Sequence, residues 1–108
     1  MTAPTLTWTD VAAEADLFEG AGIAVTPPGH DLALFDVDGE VFATDNQCSH
    51  GNAKLCDGYV ENGRVECPFH QAQFDLRTGQ PQCGPATQPV RVYPVKREGG
   101  RVWVALDA

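Results

Sequence analysis

The chain has 108 residues, room for one hydrophobic core and not for two. Hydrophobic residues make up 43% and charged residues 20%, with 11 Gly and 8 Pro, which excludes disordered and fibrous chains and describes a turn-rich globular domain. Fifteen acidic residues against seven basic ones leave a net charge of −8; this repels phosphate backbones and anionic bilayers, so neither nucleic acid nor membrane is an expected partner.

The opening MTAPTLTWTDVAAEADLFEG has neither the basic start nor the apolar run of a secretory signal, and no stretch has the length of a membrane span. The expectation is a soluble cytoplasmic protein, whose four cysteines are metal ligands or thiols before they are disulfides. Residues 10–18 alone have helical character, with Asp10 placed to cap little more than one turn. His30, after Pro27, Pro28 and Gly29, is expected to be an exposed turn residue.

Alternating apolar runs at 31–37, 40–44, 90–93 and 101–106 carry the two-residue period of strands. Asp38-Gly39, Asn62-Gly63 and Gly99-Gly100 supply the positive φ angles of tight hairpin turns, so antiparallel pairing is expected across each. The fold class is all-β. Trp8, Phe35, Phe42 and Trp103 fall on strand-like segments and read as core or sheet-edge packing.

Two short segments carry the chemistry: Cys48-Ser49-His50-Gly51 and Cys67-Pro68-Phe69-His70. Each offers one thiolate and one imidazole. Residues 58–66, with Asn62-Gly63 at their centre, read as a hairpin that brings the second segment back to face the first. In a Rieske centre one iron keeps two cysteine thiolates and the other takes two histidine nitrogens, so one Cys and one His from each loop is the required set. Zinc is the competing metal, but its usual pattern pairs C-x2-4-C with H-x3-5-H, unlike the mixed pairs here. The expected cofactor is one [2Fe-2S] cluster per chain, bound by Cys48, His50, Cys67 and His70.

CSHG, CPFH, the intervening DGY and GRVECP, the following FD and TG and the late YPVK resemble the Rieske ferredoxins of bacterial aromatic ring-hydroxylating dioxygenase systems, of the naphthalene, biphenyl and carbazole kinds. The resemblance covers nearly the whole chain. It implies a single Rieske iron-sulfur domain over residues 1–108, with an antiparallel β-sandwich base and a small cluster-binding subdomain, about residues 46–86, at one end. It also implies an electron carrier and not an enzyme. Such carriers take single electrons from a flavin-dependent, NADH-oxidising ferredoxin reductase and deliver them to a terminal oxygenase with its own Rieske centre. A monomer suits that task. The rival roles are a small Rieske subunit of another oxidoreductase, such as an assimilatory nitrite reductase, and a cluster-based sensor or structural zinc module.

The resemblance also bears on potential. High-potential relatives carry an extra cysteine after each ligand pair and hydroxyl groups two and four residues after the second histidine; this chain has Ala72 and Phe74 at the hydroxyl positions. Hydrogen bonds to the sulfurs favour the more negative, reduced cluster, so their loss lowers the potential. At roughly 1.5 kcal/mol each, two such bonds correspond to on the order of 130 mV for one electron. The expected potential lies near the lower end of the Rieske range of about −150 to +300 mV. Cys56 and Cys83 are expected to be free thiols, with Cys83 packing in a proline loop over the cluster, and Pro68, Phe69 and Pro85 to form an apolar docking collar.

Overall fold

The computed structural model describes residues 6–48, 53–68, 72–83 and 88–107. The strands are β1 (Leu6–Ala13), β2 (Gly22–Val25), β3 (Leu32–Val37), β4 (Glu40–Asp45), β5 (Tyr59–Glu61), β6 (Arg64–Glu66), β7 (Gln73–Asp75), β8 (Pro81–Cys83), β9 (Val92–Tyr93), β10 (Val95–Glu98) and β11 (Arg101–Asp107). They form three sheets in the orders β1-β11-β10, β2-β3-β4-β9 and β5-β6-β7-β8, with every strand pairing antiparallel. The first two sheets make the base. The third carries the second ligand segment.

All three expected hairpins form. Asp38 and Gly39, Asn62 and Gly63, and Gly99 and Gly100 all have positive φ, and they join β3 to β4, β5 to β6 and β10 to β11. Two consecutive left-handed residues twist the chain in the sense that paired strands require.

The N-terminal expectation is corrected. Asp10 caps no helix: it lies within β1, opposite Trp103, and its carboxylate takes the Arg101 guanidinium with Nη2 at 2.9 Å. The alternation of Thr7, Trp8, Thr9 and Asp10 suits a strand on the flank of β11, and the pairing slips at Val11 before the strand ends. One 3-10 turn, Glu14–Asp16, follows without a side-chain cap. Strands β2, β7 and β8, which sequence reading did not anticipate, complete the sheets.

Two apolar clusters fill the interior, and β3 is the wall between them. Successive side chains on a strand point to opposite faces, so Leu32 and Leu34 join Val41, Val102, Val104 and Leu106 in the base core. Ala33 and Phe35 instead join Leu55, Val65, Phe74 and Leu76 in the core beneath the ligand segments. Four consecutive buried residues in β3 follow from this two-sided duty. Trp8 packs at the surface of the edge strand, where the Lys96 ammonium lies 4.8 Å from its ring and 5.8 Å from that of Trp103. Phe42 is half-buried under Arg77. His30 closes a turn onto the Pro27 carbonyl as expected, but is half-buried, edge-on to Tyr93 at 6.3 Å.

Candidate metal centre

Both candidate cysteines stand where a strand runs into a loop. After β4 the chain continues through Asn46 and Gln47 to Cys48; after β6 it passes directly to Cys67. Cys48 is 3% exposed and Cys67 fully buried, and both belong to the core cluster that holds Phe35, Leu55 and Phe74. The Cys48 N–H donates to the Ala53 carbonyl (2.9 Å), and the Cys67 N–H to the Ala72 carbonyl (2.6 Å). Each cysteine therefore heads a loop closed on the alanine five residues later. Residues 49–52 and 69–71, with His50, Phe69 and His70 among them, lie outside the described residues. Among the described residues no three potential metal ligands converge.

A polar network underlies the first loop. Asn46, 2% exposed, donates from its backbone N–H to the Asp31 carbonyl (3.0 Å) and from Nδ2 to Asp31 Oδ1 (3.1 Å). Its backbone carbonyl accepts from Leu55 N–H (2.7 Å) and its Oδ1 from Cys56 N–H (2.9 Å). Asp31 also takes the Lys54 ammonium at 2.5 Å. Lys54 first and Asn46 second hold the Asp31 carboxyl below its ordinary value. Sequence reading passed over Asn46. The available signal was an amide between a β run and a ligand, where an Asx side chain commonly bonds nearby backbone.

The end of β4 is fixed from its other side. The Tyr93 hydroxyl donates to Asp45 Oδ1 at 2.5 Å, the Arg91 guanidinium lies 4.7 Å from the Tyr93 ring, and the Asp45 N–H donates to the Arg91 carbonyl at 2.9 Å. On the far side of the second loop, Gly79 takes a positive φ and passes so close to the Val90 carbonyl that a Cβ would collide with it. The Val90 N–H donates to the Gly79 carbonyl (2.9 Å), which ties the segment after the proline loop back to the β7–β8 turn.

Cys56 is half-buried in the 3-10 turn Leu55–Asp57 and has no disulfide among the described residues; burial raises its thiol pKa, which keeps it protonated. Cys83 pairs with Gln73 through its backbone. Its side chain and Pro85 lie outside the described residues, so the covering loop and the apolar collar are represented only by Pro68, which is exposed. Ala72 and Phe74 are both fully buried, Ala72 closing the second loop and Phe74 filling the core.

A family model described as the Rieske [2Fe-2S] domain matches residues 7–94. The chain belongs to the Rieske [2Fe-2S] family. It is 47% identical over 103 residues to the ferredoxin component of the naphthalene 1,2-dioxygenase system of Pseudomonas putida, covering 95% of this chain and 99% of the relative. Among solved structures it is similar to Sphingomonas yanoikuyae B1 ferredoxin, with a TM-score of 0.85, 42% identity and coverage of 94% of this chain and 99% of that one. The ferredoxin fold also recurs in a complex of reduced oxygenase and oxidized ferredoxin of carbazole 1,9a-dioxygenase, with a TM-score of 0.84 and 36% identity over 91% of this chain and 92% of that one. As a Rieske domain the chain carries a [2Fe-2S] cluster, and its donor set suits one. Two buried thiols in one cluster, each at the mouth of an identically closed loop, fit the cysteine-bound iron. Among the described residues no helix is long and apolar enough to cross a membrane.

Proposed function

We propose that Cys48 and Cys67 bind one iron and His50 and His70 the other, and that the chain carries single electrons from a flavin-dependent, NADH-oxidising reductase to the terminal oxygenase of an aromatic ring-hydroxylating dioxygenase. The observation that carries the ligand assignment is the matched pair of loops, each closed from Cys to Ala and each headed by a buried thiol in a common core. The names of the relatives, ferredoxin components of dioxygenase systems, support the carrier role. When bound, the cluster supplies reversible one-electron redox chemistry. The protein's part is to hold the thiols out of water and to keep hydroxyl donors away from the Ala72 and Phe74 positions, which favours a low potential. Residues of about 46–86 form the cluster-carrying part of a single domain, and a monomer suits transient contact with two partners in turn. The nitrite reductase reading is the weaker one, because the 47% identical relative is a dioxygenase ferredoxin.

The test is the reduced protein in electron paramagnetic resonance, together with His50→Ala and His70→Ala. A rhombic Rieske signal at one cluster per chain, lost in both variants, and a midpoint near the low end of about −150 to +300 mV are the expected results. Zinc in place of iron, or a signal that survives either histidine substitution, defeats the ligand assignment. A midpoint well above zero, or no electron flow from an NADH-oxidising flavoprotein, defeats the relay.

A further inference from the structure

The two ligand loops share one register. In the second, Cys67 closes on Ala72 and the ladder continues through Glu66 opposite Gln73, Val65 opposite Phe74 and Arg64 opposite Asp75. In the first, Cys48 closes on Ala53, Gln47 bridges Lys54 and Asn46 accepts from Leu55, the same three steps counted back from the cysteine. At the fourth step they part. This is a step at which the amides of an antiparallel pair point outward: in the second stem the Asp75 N–H is taken by the Gln80 carbonyl, whereas in the first Leu55–Asp57 coils into a 3-10 turn and a side chain receives the Cys56 N–H. The Asn46 side chain takes that N–H on Oδ1 and anchors its own Nδ2 on Asp31.

We propose that Asn46 is a positioning residue for the cluster: at the foot of the first loop its side-chain amide takes the outward N–H that a backbone carbonyl takes in the second stem, and thereby fixes the direction in which Cys48 is presented. This rests on the ligand assignment proposed above. A buried polar residue at the position where the second stem has Val65 is otherwise a cost. It is retained because a backbone N–H left unpaired in the same place would cost as much. Asp31 and Lys54 complete the device, since the carboxylate that receives Nδ2 is held by a lysine on the returning arm of the same stem.

The experiment compares wild type with Asn46→Leu, Asn46→Asp, the exchanged pair Asp31→Asn/Asn46→Asp, and Gln73→Leu. Gln73→Leu removes a side-chain bond across the second stem, from Nε2 to Glu66 Oε1, where the backbone ladder remains. The readouts are far-UV circular dichroism, the rate of cluster loss to a chelator, the g-values of the reduced protein and amide exchange at Leu55 and Cys56. Asn46→Leu and Asn46→Asp should lose cluster about tenfold faster, the ratio that corresponds to ~1.4 kcal/mol, with shifted g-values and a faster-exchanging Cys56 amide on an intact fold. The exchanged pair restores one donor opposite one carboxylate and should recover most of the retention. Gln73→Leu should stay within about twofold of wild type, well under the tenfold step.

Retention and g-values of both Asn46 variants within twofold of wild type would overturn the proposal, as would an exchanged pair that folds without any rescue. Should the Asn46 variants not fold, the wild type decides: a Cys56 amide that exchanges freely while Leu55 is protected overturns the proposal, and equal protection upholds it. A wild type that carries no Rieske signal is a different failure, that of the ligand assignment.

Discussion

The two ligand loops reach the same end by unequal means. The second is the tip of a β-hairpin, β6–β7, whose inward row of Val65 and Phe74 is fully buried. Its closure is paid for by the hydrophobic core. The first leaves β4, makes three ladder steps and then depends on a side chain, Asn46, and a half-exposed ion pair, Asp31–Lys54. A hairpin stem shares the stability of its sheet, whereas a stem footed on polar bonds opens locally at lower cost. The first loop should therefore be the softer one, and the step that limits assembly or loss of the cluster should lie there.

The largest effect is expected on the stiff side. Phe74→Ala empties a fully buried site between the second stem and Leu55 and Phe35, which costs about 3–5 kcal/mol and lowers Tm by roughly 15–25 °C. Thermal melts followed by circular dichroism should show one cooperative transition at the lower temperature. A loss under about 1 kcal/mol would mean that the hairpin does not carry the second loop, and the contrast between the stems would fail.

Ala72→Ser tests the same loop through its potential. It places a hydroxyl on the residue that closes onto Cys67, with little added volume. A new bond to a cluster sulfur, at roughly 1.5 kcal/mol, should raise the midpoint by about 65 mV for one electron. Protein-film voltammetry reads this directly. An unchanged midpoint with the cluster intact would show that residue 72 faces away from the sulfurs, and the account of the low potential would lose half its support.

The parts legible in the sequence are those governed by short-range rules. Asp38-Gly39, Asn62-Gly63 and Gly99-Gly100 have no good alternative to a left-handed pair, and all three hairpins form. The Cys and His spacing depends on metal chemistry alone and pointed to the family. What stayed illegible depends on distant partners. Asp10, expected to cap a helical turn, became part of a strand because β11 lies alongside, with Arg101 waiting for its carboxylate. Asn46 offered only the general signal of an Asx residue beside a ligand, and its partners stayed hidden because Asp31 and Cys56 flank it only after folding. The short strands β7 and β8 were missed for the same reason: three residues each carry too little period to read.

The smallest expected effect separates the stems by pH. Lys54, then Asn46, holds the Asp31 carboxyl below its ordinary value of 3.8. A carboxylate with a depressed folded pKa contributes stability that is fully present above the unfolded value and is lost as pH falls through the folded one. Both side chains are well exposed, 48% for Lys54 and 39% for Asp31, so screening limits the pair to about 0–1 kcal/mol. Acidification below about pH 4 should therefore raise exchange at the Leu55 and Cys56 amides relative to Phe74, by a factor of a few. Asp31→Asn should remove that pH dependence while leaving the β6–β7 amides unchanged. Equal acceleration in both stems, or a pH dependence that survives Asp31→Asn, would show that acid loosens the sheet as a whole and not the polar foot of the first loop.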